Sequence, residues 1–272
     1  MSEPVILVPL DGTKQALAAL PVAKVLGDIE RAALYILHVG ERRVAPKELR
    51  NYLAGDTPAL DGLSIDSRIG APAIEIPQVA RAIKACAIVM CKHSGTERGK
   101  MLGRTATKVL HDAPCPVVLV PPERGAIAWH LHHVLVPHDG TPTTSAALGP
   151  AAELAERGRA ELLVVHVTGV RAPPTEPGSF TTPRYVDQPQ HEWPAWAGEF
   201  VKRLKSVCHL GHVQVRVSLA HGETAAEIQR LSEKQSTDLI VLAWRGRWEA
   251  QRAATLKNIL RDARCPVMVV RA

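Results

Sequence analysis

"VILVPLDGT" at residues 5–13 and "HVLVPHDGT" at residues 133–141 are one phrase written twice, 128 residues apart. Each is a short run of Val, Ile and Leu broken by Asp-Gly-Thr. An apolar run of this length reads as a strand buried on both faces. Asp-Gly-Thr is turn chemistry, in which Gly supplies unusual backbone angles and Thr offers an N-cap. The next stretch, "KQALAALPVAKVLGD" (14–28), has apolar residues at helical spacing. The phrase therefore encodes strand, turn and helix, and it does so twice.

The duplication continues along the chain. "LYILHVG" (34–40) returns as "LLVVHVTG" (162–169), which sets His38 against His166 at the same offset. "EIPQVARAIKACAIVM" (75–90) pairs without a gap against "EIQRLSEKQSTDLIVL" (227–242), now 152 residues away. "DAPCPVVLV" (112–120) returns as "DARCPVMVV" (262–270), with six of nine letters kept. The jump in offset requires an insertion after His166, and residues 170–195 have its composition. A repeat of this size is a duplicated domain rather than a turn of a solenoid. The expected domains are 1–124 and 125–272.

Within the first copy, "RAALYILHV", "LSIDSRIG", "CAIVMCK" and "PVVLVPP" follow as further strands. Between them lie a short helix near 46–53, the helix "PQVARAIKA" with Pro77 in its first turn, and the helix "GRTATKVLHDA". Alternating strands and helices give a parallel sheet with helices on both faces, and right-handed crossovers make it doubly wound. Such a sheet binds its ligand outside the carboxyl ends of its strands. The positions to search are the Asp-Gly-Thr turn and the loop after strand four.

Composition narrows the function classes. The chain has 272 residues, of which 46% are hydrophobic, as expected of a globular core. Its ten aromatic residues are too few for the stacking platforms of single-strand binders. The net charge of +6 divides evenly, 16 basic against 13 acidic residues in 1–124 and 17 against 14 in 125–272. Without a basic cluster, no nucleic-acid partner is expected. The start shows no leader pattern and no apolar stretch approaches 18 residues, so the expectation is a cytosolic chain without a membrane anchor. Five cysteines in such a chain do not read as a disulfide framework, and Cys115 and Cys265 read as small buried residues beside a proline.

Taken in order, "VPLDGT" and "VPHDGT", "HV" ending strand two, "LGRTATKVL" after strand four and "HDAPCPVVLVPP" resemble the universal stress protein family in its tandem form. The resemblance covers nearly the whole chain. It implies two tandem doubly wound five-stranded parallel-sheet domains of the adenine nucleotide alpha hydrolase-like kind, related by a pseudo-two-fold. It also implies ATP as the ligand of binding-competent members, held by a loop of the form G-x2-G-x9-G-S/T after strand four. Glycines in such a loop let backbone N–H groups approach phosphate, and the following helix N-terminus favours an anion.

Against that pattern, "MCKHSGTERGKMLGRTA" (90–106) keeps Gly103, with Arg104 where Ser or Thr is expected and Thr105 one place later. Ser94 takes the place of an earlier glycine after one deletion, and Gly95 and Gly99 lie off the family spacing. In "LAWRGRWEAQRAATLKN" (242–258), Gly246 matches the second glycine, Ala253 replaces the last, and the loop is three residues short. The candidate nucleotide residues are therefore Pro9, Asp11, Gly12, Met90, Ser94, Gly95, Gly103 and Thr105 in the first copy, and Asp139 and Gly246 in the second. ATP in the first copy is the cofactor to test, and both cradles are eroded.

Other clusters carry less. "HLHH" (130–133) with His138 runs into a strand, where neighbours face opposite ways, and "CHLGH" (208–212) lacks a fourth ligand, so no metal site is expected. Cys91 beside Lys92 and His93 has the surroundings of an activated thiol. No nucleophile, base and orienting group fall together, so the chain does not read as an enzyme. The leading reading is a stress-response protein acting by binding and regulation. The alternative is an ATP-binding regulator using the first copy, with slow or no hydrolysis. Expected partners are the other copy, through the last strands "PVVLV" and "PVMVV", a second chain in a homodimer, and a protein docked on the insertion. Trp193 and Trp196, with Phe200 and Leu204 beyond them, are expected to make that insertion a clasp that protects 193–204 from protease.

Overall fold

A computed structural model describes residues 3–54, 60, 62–92, 102–125, 127–168, 198–199, 201–202, 213–246 and 251–272. The expectations for His93, Ser94, Gly95, Gly99, the 208–212 cluster and the insertion with Trp193, Trp196, Phe200 and Leu204 lie outside the described residues. The chain forms two compact units, one of residues 1–130 with 260–269, the other of 131–259 with 270–272.

The first unit is built on β1 (Val5–Pro9), β2 (Ala33–Gly40), β3 (Ser64–Ile69), β4 (Ala87–Cys91) and β5 (Val117–Val120). Their order is β3-β2-β1-β4-β5, and every pairing among them is parallel. Helices α1 (Ala19–Glu30), α2 (Pro46–Ala54), α3 (Pro72–Ala82) and α4 (Arg104–Asp112) make the crossovers. β4 and β5 are buried at every residue, which is why they read as unbroken apolar runs. Burying such runs contributes roughly 1.5–3 kcal/mol for each large aliphatic side chain.

This unit also takes in Leu260–Val269, far along the chain. There Val267, Met268 and Val269 pair antiparallel with Leu119, Val118 and Val117. Without that ladder β5 would be an edge strand of four apolar residues with unpaired backbone groups. Lys92, buried just beyond β4, donates to the carbonyls of Leu260, Arg261 and Ala263 at 3.4, 3.0 and 3.4 Å. An ammonium is favourable at a helix C-terminus, where carbonyls lack partners. Burial lowers the Lys92 pKa, opposed chiefly by the negative charge of Glu123.

The second unit repeats the plan. β6 (His133–Pro137) lies between β7 (Glu161–Thr168) and β9 (Leu239–Trp244), with β8 (Val215–His221) outside β7, all parallel. Helices α5 (Pro142–Ser145), α6 (Leu148–Gly158), α7 (Thr224–Lys234) and α8 (Gln251–Asp262) accompany these strands, and β10 (Val267–Arg271) ends the series. The C-terminal Ala272 N–H bonds the Trp244 carbonyl at 3.0 Å. Among the described residues, no helix is long and apolar enough to cross a membrane.

The duplication holds to the level of backbone angles. Arg31 and Arg159, 128 apart, both close a helix in the left-handed region, with φ of 51° and 53°. Lys84 and Ser236, 152 apart, do the same at 51° and 48°. These are the two offsets of the sequence repeat, at residues whose letters do not announce them. A left-handed residue other than Gly costs about 1 kcal/mol, so the tight helix-to-strand return holds each in place.

Two local expectations are corrected. α3 begins at Pro72, and Pro77 lies inside it rather than in its first turn. Pro72 is the proline whose missing N–H falls where a helix has no partner for one. The first helix begins with a single turn of 3-10 helix, Ala16–Ala18, before α1. Thr13 still serves this entry, since its Oγ1 accepts the Ala16 N–H at 3.2 Å.

Candidate functional site

The carboxyl ends of β1 and β4 in the first unit bring together Pro9, the Asp11–Thr13 turn, Met90, Cys91 and Lys92. β1 and β4 are neighbours in register, Leu7 against Ile88. Gly103 is tied to the same end by its N–H, which donates to the Lys92 carbonyl at 3.1 Å. α4 then starts at Arg104 with Gly103 as N-cap and no side-chain cap. The first-turn N–H groups around Thr105, which is half-buried, are those a helix leaves without intrahelical partners. Such a terminus suits an anion.

The acid turn is more self-contained than its sequence suggests. Asp11 Oδ1 accepts both the Thr13 N–H at 2.9 Å and the Thr13 hydroxyl at 2.7 Å. Gly12 has φ +87°, which an L-residue adopts only with strain. Tyr52, from α2, lies on Gly12: a Cβ there would meet its ring at 2.6 Å. The same ring stands edge-on to His38, centroids 5.3 Å apart at 72°. His38 is buried, and its Nδ1–H donates to the Leu10 carbonyl at 2.9 Å. The carbonyl can only accept, which fixes the proton on Nδ1.

The second unit has the same turn with more bonds. Asp139 Oδ1 accepts from Thr141 N–H, Thr141 Oγ1 and Thr144 Oγ1 at 3.1, 2.6 and 2.8 Å. His166 Nδ1–H donates to the His138 carbonyl at 2.7 Å, as His38 does to Leu10. Here the residue before the Asp is itself a histidine. His138 Nδ1 accepts the Gly140 N–H at 3.0 Å, so Nε2 carries the proton and donates to Ser145 Oγ at 3.0 Å. The Ser145 hydroxyl in turn donates to the Thr141 carbonyl at 3.0 Å. Burial pushes the His138 pKa from 6.5 down to about 4, with the Asp139 charge opposing. Burial lowers His166 as well. After β9, Gly246 has φ +79° with the Arg271 guanidinium against it, 3.3 Å from where a Cβ would stand. Trp244 and Ala253 on either side are buried.

The sequence model of the universal stress protein family matches residues 41–121 and 130–271, most of the chain. The chain belongs to the universal stress protein family. A universal stress protein of Methanocaldococcus jannaschii is 24% identical over 141 residues, 51% of this chain and 81% of that one. Among solved structures, a universal stress protein from Archaeoglobus fulgidus superposes with a TM-score of 0.64 at 17% identity, covering 100% of this chain and 99% of that one. A functionally unknown protein from Pseudomonas aeruginosa superposes with a TM-score of 0.65 at 18% identity, over 99% and 93%. The two structural likenesses span nearly the whole chain and concern the fold, an α/β sheet that is mostly parallel.

Within this universal stress family fold, the candidate residues separate into two sets. Pro9, Asp11, Gly12, Met90, Gly103 and Thr105 converge on one end of the first unit. Asp139 and Gly246 lie at the matching end of the second, Gly246 against the Arg271 guanidinium. Among the described residues, no group of three or more metal-ligating side chains occurs. Of the thiol and its basic neighbours, Cys91 is buried and the Lys92 ammonium is bound to helix carbonyls. Sequence reading missed Tyr52, the buried histidine bonds and Arg271. The recurrence of a polar His at His38 and His166 inside apolar strands was the available signal for the second of these.

The two acid turns differ in what they hold. Asp139→Ala removes three acceptor bonds from a half-buried turn and is expected to cost about 1–2 kcal/mol. Asp11→Ala, at an exposed turn with two bonds, is expected to cost under about 1 kcal/mol. Urea unfolding of the two variants, each against the parent, checks this order.

Proposed function

We propose that this chain is a regulatory binding protein of the universal stress family, acting through conformation and partner contacts rather than catalysis. The first copy, 1–124, is its nucleotide end, with ATP as the ligand, and the second, 125–272, serves mainly as partner and scaffold. The last strands hold the copies together as an internal pseudo-dimer, and the ladder of Val267–Val269 on Val117–Leu119 supports that part. The single observation behind the nucleotide assignment is the uncapped start of α4, tied by Gly103 to the end of β4 beside the Asp11 turn. In the second copy Ala253 stands at the place of Gly103, buried inside α8 rather than at its N-cap.

Gly103→Asp separates binding from folding. Aspartate is a good N-cap, so fold stability should hold or rise by a few tenths of a kcal/mol. The same carboxylate stands where phosphate would approach, and ATP affinity measured by calorimetry should fall about tenfold or more. Asp11→Ala should weaken ATP more than Asp139→Ala. The reverse order would move the nucleotide to the second copy. A parent protein that binds no ATP leaves regulation through partners alone, the reading in which both loops have lost the ligand.

A further inference from the structure

Two cysteines lie at the other end of the first sheet, away from the strand ends described above. Cys86 immediately precedes β4, and Cys115 lies two residues before β5. β4 and β5 are neighbours and parallel, with Ile88 set against Val117. Each cysteine is two residues before that pair, so the two flank the same end of adjacent strands, about 5 Å apart in the backbone at one interstrand spacing. Disulfides span Cα separations of roughly 4.4–6.8 Å. Cys86 is exposed, and Cys115 is partly accessible. Cys86 Sγ donates to the Val5 carbonyl at 3.2 Å, a weak bond that rotation about one side-chain torsion releases.

The repeat makes the pair specific to the first copy. The repeat counterpart of Cys115 is Cys265, but that of Cys86 is Asp238. That carboxylate accepts the His132 and His133 N–H groups at 2.8 and 3.0 Å, a structural bond that leads into β6. We propose that Cys86 and Cys115 form a reversible redox pair, closing to a disulfide that staples the amino ends of β4 and β5 when the protein meets a peroxide. Cys86, the exposed thiol, reacts first. Its thiolate attacks one peroxide oxygen, forming S–O and breaking O–O, and the second oxygen leaves as water after taking up a proton. Cys115 Sγ then attacks Cys86 Sγ, forming S–S and breaking S–O, and its proton leaves with the departing oxygen as a second water. Two thiols are oxidised by two electrons and one peroxide is reduced to two waters.

Both thiols are held protonated at neutral pH. Burial raises Cys86, helped by the negative charge of Glu30 at the end of α1. Burial pushes Cys115 up to about 12, and the negative charge of an ionised Cys86 adds to this, as expected of close neighbours. The pair is accordingly slow, responding to sustained oxidant, and its rate should rise about tenfold from pH 7 to pH 8 with the thiolate fraction.

The test is peroxide treatment of the full chain, followed by alkylation and non-reducing peptide mapping. The expected product has lost two hydrogens, links the Cys86 peptide to the Cys115 peptide, and returns to the starting mass with dithiothreitol. Cys86→Ser, at an exposed position, should fold normally and abolish the link, and Cys115→Ser should do the same. Cys91→Ser should leave it intact. Retention of all five thiols, a chain-to-chain dimer through Cys86, or a link that uses another cysteine would each overturn the proposal.

Discussion

Val269→Asp is expected to unfold the first unit, although the substitution lies near the end of the chain. Val269 is buried and pairs with Val117, and both belong to that unit. An aspartate there must either stay charged without a partner or take up a proton, and it also loses the packing of the valine. Buried unpaired charge and lost core packing are the mechanisms behind the largest single-residue effects, and together they should cost upwards of about 4 kcal/mol. Hydrogen exchange reports where the damage goes. The amides of β5 should lose protection, and those of β4 beside it should follow. If β5 stays as protected as in the parent, the last strand is not part of the first unit's stability.

The second large effect is set by pH. His138 is buried and neutral, with its pKa lowered from 6.5 to about 4. Above pH 6.5 the ring is neutral both folded and unfolded, and its contribution is complete. Between 6.5 and 4 the unfolded chain takes up a proton that the folded one refuses, so stability falls as the solution is acidified. The loss approaches about 3 kcal/mol by pH 4. His166 works in the same direction. Protonation also ends the bond from the Gly140 N–H, because imidazolium has no acceptor.

The variant to use is His138→Leu, since Leu10 holds the equivalent place in the first copy. It should be less stable than the parent at pH 7.5, with the Gly140 N–H left without its acceptor. Between pH 7.5 and 4.5 it should lose less stability than the parent, by about 2–3 kcal/mol in urea midpoints converted to free energy. Asp66 and Asp112, both with lowered pKa, add acid sensitivity of their own, but equally in parent and variant. Identical acid slopes would exclude His138 as the source.

How much of this was legible follows from where each signal resides. The central strands β4 and β5 were readable because they are buried at every residue and so written almost wholly in apolar letters, while β3, half-exposed at Ser64–Ile69, showed instead as an alternation. The pairing of the last strands was readable for the same reason, since an apolar strand at an edge needs cover. Arg31 and Arg159 were not, because Arg is a good helix former and only the return to the next strand forces its left-handed angle. Pro77 misled by being a proline near a helix start, when Pro72 had already taken that place. Within the candidate site, Asp11 and Gly12 were found from turn chemistry. Tyr52 was not, because its contact with Gly12 is tertiary and α2 carries no mark of it. Lys92 read as the last residue of a strand, beside a thiol. Its partners are carbonyls about 170 residues away, and backbone carbonyls leave no trace in the letters.

The ladder on β5 also sets a timetable for synthesis. β5 is complete at Val120, while its partner strand begins at Val267, roughly 150 residues later. At about 5–20 residues per second, a ribosome needs on the order of 7–30 seconds to cover that distance. For that interval the nascent first sheet has its last apolar strand uncovered, on a chain already long enough to meet its neighbours on a polysome. Vectorial folding, in which an N-terminal domain is finished before the next begins, is closed to this protein. Its first unit stays open until the chain has been extended to Val267 and beyond.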